Sequence, residues 1–273
     1  MKKLYTLLFI ALTAASASAQ VADAFTGTGT LISNGWTTHS GTTPGQVSIV
    51  TGSLTYTGLT STGNKTQTVS GNTEDVSLLS PAAITGTGYY SALINFPNTT
   101  GLTANTATGD YSLMFGTLST GGTPTLSVFT ARIYFREGSV ANTVNIGVLN
   151  ASGGTAAPSF STVDYPVNTT HFVVVKYVLA TNTASLWIDP AIGGTEGTPT
   201  VTNATGTTAA PAQLERLAIR QGTSTGNMLI DEVRMGTTWA YVTSATLGVK
   251  SNNIAGLNIY PNPVTNGTLF INT

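Results

Sequence analysis

Apolar residues in this chain recur at every second position over short runs, and no run keeps a helical period over three or more turns. That pattern restricts the chain to β-sheet. Residues 129–136 are the clearest case. Phe129, Ala131, Ile133 and Phe135 fall on one parity, with Arg132, Tyr134 and Arg136 on the other. Successive side chains of a strand point to opposite faces, so the first set is expected inward and the second outward. Tyr90, Ala92, Ile94 and Phe96 alternate likewise until Pro97-Asn98 ends the run, and Leu113 with Phe115, then Val144, Ile146 and Val148, repeat the pattern. Residues 172–179 are apolar on both faces except at Lys176, as in a central strand, and 184–188 follow before Asp189-Pro190 stops them. Residues 47–50 and 53–56 are shorter β-prone pieces, and 74–79 suit a strand or one helical turn. About ten or more strands at this spacing, separated by Gly, Thr, Ser and Asn, predict a β-sandwich.

Residues 214–239 carry the strongest local signal. Two strands, 217–221 and 228–235, flank the turn-rich Gly222-Thr223-Ser224-Thr225-Gly226-Asn227, which predicts a hairpin closed by Trp239. Leu217 and Ile219 share one face, and Arg216, Ala218 and Arg220 the other. In the second strand Met228 and Ile230 have one parity and Val233 and Met235 the opposite. The switch falls at Asp231-Glu232, so a bulge is expected there; otherwise Asp231 points coreward and needs hydrogen-bond partners.

With 41% hydrophobic residues in 273, the chain can bury one large core. A net charge of -1 with 8% charged residues leaves no electrostatic footprint for nucleic acid or an anionic membrane. Lys2 and Lys3 precede an apolar run and an Ala17-Ser18-Ala19 cleavage site, which predicts a signal peptide over 1–19. The run is too short for a stable span, and no later stretch is long enough, so no membrane span is expected in the mature chain. The product is expected at the cell surface or secreted, passing through the periplasm. Cysteine is absent, which removes disulfides, thiol nucleophiles and thiolate zinc sites.

The order of the pieces resembles the concanavalin A-like, laminin-G-like jelly rolls of secreted bacterial proteins. The words that carry it, YYSALINF, FTARIYFREGS, the FVVVKYVL/ASLWIDP hairpin, and LAIRQG with LIDEVRMGTTWAYVT, lie within 22–244. The implied fold is an all-β, two-sheet antiparallel jelly-roll sandwich over 20–244. After a linker over 245–255, residues 256–273, GLNIYPNPVTNGTLFINT, resemble the opening of the C-terminal sorting domain that takes Bacteroidetes proteins through the type IX secretion system. Such domains run on for dozens of residues, so this one is expected to be truncated. Its implied partner is the type IX secretion machinery.

Several chemistries are suggested. Residues 222–226 match G-x-S-x-G, but a nucleophile elbow needs a strand-to-helix turn, and here no helix is expected to follow, so Ser224 is taken as a turn residue. His39 in a polar loop and His171 at a strand start are the only histidines, and would bind a metal only if they converged. Glycoside hydrolysis needs two carboxylates about 5 to 9 Å apart. Hydrolases on this jelly roll often carry Glu-x-Asp-x-x-Glu, which is absent here, so no catalytic residue is assigned and enzymatic activity is disfavoured. A structural calcium ion is a better fit to the resemblance, with Asp23 and Asp231 as ligands if the terminal strands meet. For sugar recognition, Trp187, Tyr134, Arg132, Arg136 and Arg220 share outward parity. If their strands belong to one sheet, they form an amphipathic outer face for a glycan or cell-surface component; otherwise Trp187 and Tyr134 simply cover the sheet. The expected function is non-catalytic binding or adhesion, with a carbohydrate-active enzyme or a ligand-free matrix protein as alternatives.

Overall fold

The computed structural model describes residues 19–41, 45–118 and 126–246, and the strands Asn258–Tyr260 and Phe270–Asn272. In chain order the strands are β1 Val21–Asp23, β2 Thr37–Ser40, β3 Ser48–Val50, β4 Lys65–Thr68, β5 Asp75–Ile84, β6 Thr87–Asn95, β7 Asp110–Leu118, β8 Leu126–Glu137 and β9 Thr143–Leu149. There follow β10 Ser159–Phe160, β11 Tyr165–Pro166, β12 His171–Val178, β13 Thr183–Ile188, β14 Val201–Asn203, β15 Leu214–Ile219 and β16 Met228–Gly236. One short α-helix, α1 Trp239–Val242, two 3-10 turns at Ile32–Asn34 and Leu179–Thr181, and strands β17 Asn258–Tyr260 and β18 Phe270–Asn272 complete the order among the described residues. The protein is an all-β sandwich of jelly-roll type in which two antiparallel sheets face each other. Sheet I runs β14-β13-β12-β6-β16-β4-β3 with β1 also on β16; sheet II runs β10-β9-β8-β7-β15-β5-β2 with β11 on β9. Of residues 74–79, open between strand and helical turn in the sequence, 75–79 begin β5 and Glu74 precedes it. Among the described residues no helix is long and apolar enough to cross a membrane.

The core lies between the sheets and is built from the inward parities: Tyr90, Ala92 and Ile94 from β6, Ala131, Ile133 and Phe135 from β8, and Leu217 and Ile219 from β15. Tyr90 crosses the gap and donates its buried hydroxyl to Ala131 O at 2.6 Å. Residues 172–179 and 184–188 form the expected hairpin, β12 to β13, turned by Asn182 at φ 50°.

The hairpin expected within 214–239 does not form. β15 lies in sheet II between β5 and β7, and β16 in sheet I between β6 and β4, so the intervening loop crosses from one sheet to the other. Turn chemistry alone does not choose between pairing and crossing. The loop is pinned instead by neighbours distant in sequence: Gly71 N donates to Gly222 O, and Gly226 N to Gly101 O. The bulge at Asp231-Glu232 is present. Asp231 pairs with Leu93 and Arg234 with Ser91, one residue more on β16 than on β6, with Glu232 at φ 49°. Ile230 and Val233 thereby both reach the core.

Sheet I is covered on its outer face by the chain itself. Leu54, Leu59, Tyr89, Leu93, Phe172, Val174, Trp187, Trp239 and Val242 form a second apolar layer there. Asp231 and Glu232, both fully buried, hold the covering segment by accepting Leu54 N and Thr62 N at 2.8 Å each. Arg234 lies beside them, donating to Glu232 and to the Ser244 carbonyl.

The signal peptide and the linker fall almost wholly outside the described residues. Within the tail 256–273, β17 and β18 pair antiparallel, Ile259 opposite Ile271.

Candidate ligand-binding face

The outer face of sheet II contrasts with that of sheet I. Strand β8 supplies Arg132, Tyr134 and Arg136, β9 supplies Asn145, and β15 supplies Arg216 and Ala218, with Arg220 just beyond its end. Tyr111 on β7 joins them. Its parity is that of the core residues Leu113 and Phe115, but an extra residue on β7 between Tyr111 and Leu113 re-aims it. A bulge of this kind is invisible to period-two counting. Tyr111 consequently sits 5.4 Å from the Tyr134 ring, with the Arg132 guanidinium 4.9 Å and the Arg220 guanidinium 4.5 Å from its centroid. Guanidinium-over-ring contacts of this length are cation–π interactions.

A second bulge corrects the expectation for Phe129. Ala131 takes φ 51° and β8 carries one residue more than β7 between the Phe115–Thr130 and Leu113–Ile133 pairs. Phe129 is thus displaced from the core and packs on the outer face against Met114, Leu126 and Ala218. His39 is also misplaced by sequence. It lies in β2, 8% exposed, with both ring nitrogens lacking a partner among the described residues. Its ring centroid is 6.1 Å from that of Phe129. β2 and β8 are four strand steps apart, about 19 Å in a flat sheet. The two rings can meet only because sheet II curls toward them, making this face concave. Burial and the nearby Arg216 charge pull the His39 imidazole down to about 4.

Around the face, polar groups are partly satisfied. Arg220 Nη1 donates to Asp110 Oδ1 at 2.7 Å and to Tyr111 O at 3.1 Å. Gln221 N donates to Asp75 Oδ1 at 2.9 Å. Burial pushes the Asp75 carboxyl up to about 6, against the pull of that N–H and of Arg220; Asp110 and Glu74 add to the push. Sequence separation hides the approach of Asp75 to Asp110. At the β9 side, Arg136 Nε and Nη2 donate to Asn145 Oδ1 at 3.1 and 3.0 Å, and its guanidinium lies 3.8 Å over Phe160. Arg136, Asn145, Ser139, Ser161, Asn105 and Asp164 are among the residues lining a polar cavity of about 210 Å³. Asp164 accepts Ser139 N and Oγ, both at 2.6 Å, and these bonds hold its carboxyl below the usual range.

Four of the five residues expected on an outer face, Tyr134, Arg132, Arg136 and Arg220, therefore share one sheet face. Trp187 does not, because β13 belongs to sheet I. Its outward parity is as expected, yet it is 5% exposed, packed on Trp239 at 5.0 Å, with Nε1 donating to Gly197 O at 2.9 Å. Tyr134 is 7% exposed and covered too, but by the arginine and tyrosine side chains of the face itself.

The strands bearing Asp23 and Asp231 do meet, with Asp23 opposite Val233. Each of the four carboxylate oxygens accepts a hydrogen bond from a neighbouring N–H. Asp23 takes Phe25 N and Trp36 Nε1 at 2.7 Å each, and Asp231 takes Leu54 N and Glu232 N. Among the described residues no three His, Asp or Glu gather as a metal cluster. His171 lies in sheet I, bonded to Asp189 Oδ2 at 2.8 Å, whereas His39 lies in sheet II. Ser224 sits in the crossing loop with strand β16 next, not a helix.

No family model matches the chain. No curated protein matches it either. Solved structures are similar in fold only. An endo-β-1,4-glucuronan lyase from the fungus Trichoderma reesei is 15% identical, over 79% of this chain and 95% of that one, with a TM-score of 0.49. The Emp47p carbohydrate recognition domain is 11% identical over 82% and 99%, with a TM-score of 0.45. A sialidase is 16% identical over 81% of this chain, with a TM-score of 0.45; the chain spans 19% of that sialidase's length. Likenesses this loose carry nothing about ligands, which must be argued from the face itself.

Proposed function

We propose that the protein is a non-catalytic glycan-binding protein whose binding surface is the concave outer face of sheet II. The observation that supports this most is Tyr111, flanked by two guanidiniums and a second tyrosine ring. Aromatic faces beside polar hydrogen-bonding groups suit sugar rings, which present an apolar C–H face and a hydroxyl rim. The opposite sheet has no such surface among the described residues, because its outer face is closed by Trp187, Trp239 and the segments around them. A glycan-array screen tests this. Selective binding that is lost in Tyr111→Ala supports it, and silence from folded protein refutes it.

One observation favours a second reading, a carbohydrate-active enzyme. Asp75, held up at about 6, lies near Asp110, which is ion-paired to Arg220, and two carboxyls in unlike environments are the general requirement for acid–base chemistry on a glycosidic bond. Cleavage of a bound glycan that disappears in Asp75→Asn would establish that reading over the first. An extracellular setting belongs to the same proposal. The basic–apolar start with its Ala17-Ser18-Ala19 site and the tail resembling a type IX sorting domain support it. A mature N-terminus at Gln20 in culture medium is the corresponding test.

A further inference from the structure

Four of the chain's five arginines, Arg132, Arg136, Arg216 and Arg220, lie on or at the end of one sheet face in a protein of net charge -1. Internal ion pairing does not account for them. Among the described residues Arg220 has Asp110, but Arg132 forms no salt bridge. Arg132 is 7% exposed, its Nε has no partner, and its one hydrogen bond to a described residue is from Nη2 to Ser152 Oγ at 3.0 Å. A guanidinium so largely removed from water is costly to leave without a counter-charge. Arg216 repeats the pattern at 6% exposure, with an unpartnered Nε and Nη1 directed at Ser77. Arg132 and Arg220 both contact the Tyr111 ring, at 4.9 and 4.5 Å, so the two guanidiniums are within about 10 Å of each other.

Resting on the glycan-binding reading, we infer that the ligand is an acidic polysaccharide. A sugar ring lies against Tyr111, whose partner Tyr134 backs it from beneath; its carboxylate or sulfate is received by Arg132, and Arg220 is the second cation along the chain. A planar guanidinium fork matches either oxyanion, whereas a neutral sugar would leave Arg132 without its counter-charge.

The test is affinity of the full chain for polygalacturonate and its carboxyl-reduced form, dextran sulfate and dextran, and single-stranded DNA as a polyanion without pyranose rings. The expected result is at least tenfold tighter binding to an acidic polysaccharide than to its neutral counterpart, weakening with salt. Preference for polygalacturonate names carboxylate as the acidic group, and preference for dextran sulfate names sulfate. Arg132→Gln is expected to lose at least tenfold with an unchanged melting temperature, Arg132→Lys less, and Lys176→Gln on sheet I nothing. Should Arg132→Gln fail to fold, Arg220→Gln, 26% exposed at the rim, takes its place with the same expected direction. Neutral glycans bound as tightly as acidic ones overturn the acidic inference and leave glycan binding standing. DNA bound as tightly as the acidic polysaccharides overturns it too, as unspecific polyanion attraction. No binding to any polysaccharide removes both.

Discussion

Trp187 separates packing from recognition on this fold, and its truncation can be worked through. The ring is 5% exposed, sits beside Val174 across the β12–β13 pair, and meets Trp239 edge-on at 5.0 Å. A tryptophan buries about 150 to 250 Å², which at about 25 cal/mol per Å² is some 4 to 6 kcal/mol as an upper bound. Observed large-to-alanine losses are about 3 to 5 kcal/mol, cavity included. The Gly197 carbonyl also loses its donor, worth about 1 kcal/mol. Trp187→Ala should therefore cost about 4 kcal/mol. In a sandwich of this size that lowers the melting temperature by about 8 to 16 °C. Calorimetry or urea unfolding reads the loss, and glycan affinity below the transition should not change, because β13 is in the sheet opposite the proposed face. A melting temperature within about 2 °C of wild type, together with lost glycan binding, would refute both the packing argument and the choice of sheet.

Two further outcomes follow from buried titratable groups and a third from a left-handed glycine. His39, held at about 4 against an ordinary 6.5, is neutral when folded and gains a proton on unfolding between those values. Its contribution is complete above pH 6.5 and is lost as pH falls toward 4; His39→Phe should flatten that acid-side loss in pH-dependent unfolding without reducing stability at pH 7, since neither ring nitrogen has a described partner to lose. Asp231 has the opposite sign: burial raises it from 3.8 to about 7, so the folded protein holds the extra proton and stability falls as pH rises through that window. Asp231→Asn should remove that slope, and an unchanged slope would show the carboxyl ionised throughout. Gly63, at φ 75°, would place a Cβ 2.3 Å from the Ala24 carbonyl oxygen. Gly63→Ala should lower stability by more than about 1 kcal/mol in equilibrium unfolding.

Period-two alternation made the sheet faces legible, and it did so wherever a strand runs without interruption. β6 and β9 place the residues that parity assigned to the core in the core, and β12, read as apolar on both faces, does bury apolar residues on both. The bulge at Asp231-Glu232 was legible too, because two apolar residues on each side of it advertise the change of phase. The bulges at Ser112 and Ala131 were not. Ser112 interrupts a run that alternates correctly on paper, and Ala131 is apolar and reaches the core in any case, so neither leaves a compositional trace. The destination of β16 was likewise hidden, since the 222–227 loop has good turn chemistry whether it returns within one sheet or crosses to the other.

The candidate site owes its form to those unreadable departures. Had β7 kept its phase, Tyr111 would share the parity of Leu113 and Phe115 and enter the core, leaving Arg132 and Arg220 with no ring between them. The Ala131 bulge instead displaces Phe129 to the outer face, where it meets His39 across the curl of the sheet. Outward parity therefore identifies which side chains can leave the core but not what they meet there. Trp187 leaves it and is buried again by α1 and its flanking loops, while Tyr134 leaves it and joins an arginine–tyrosine surface. The difference lies in what covers each sheet, and that depends on long-range contacts such as Asp231 with Leu54 and Glu232 with Thr62, which span most of the chain.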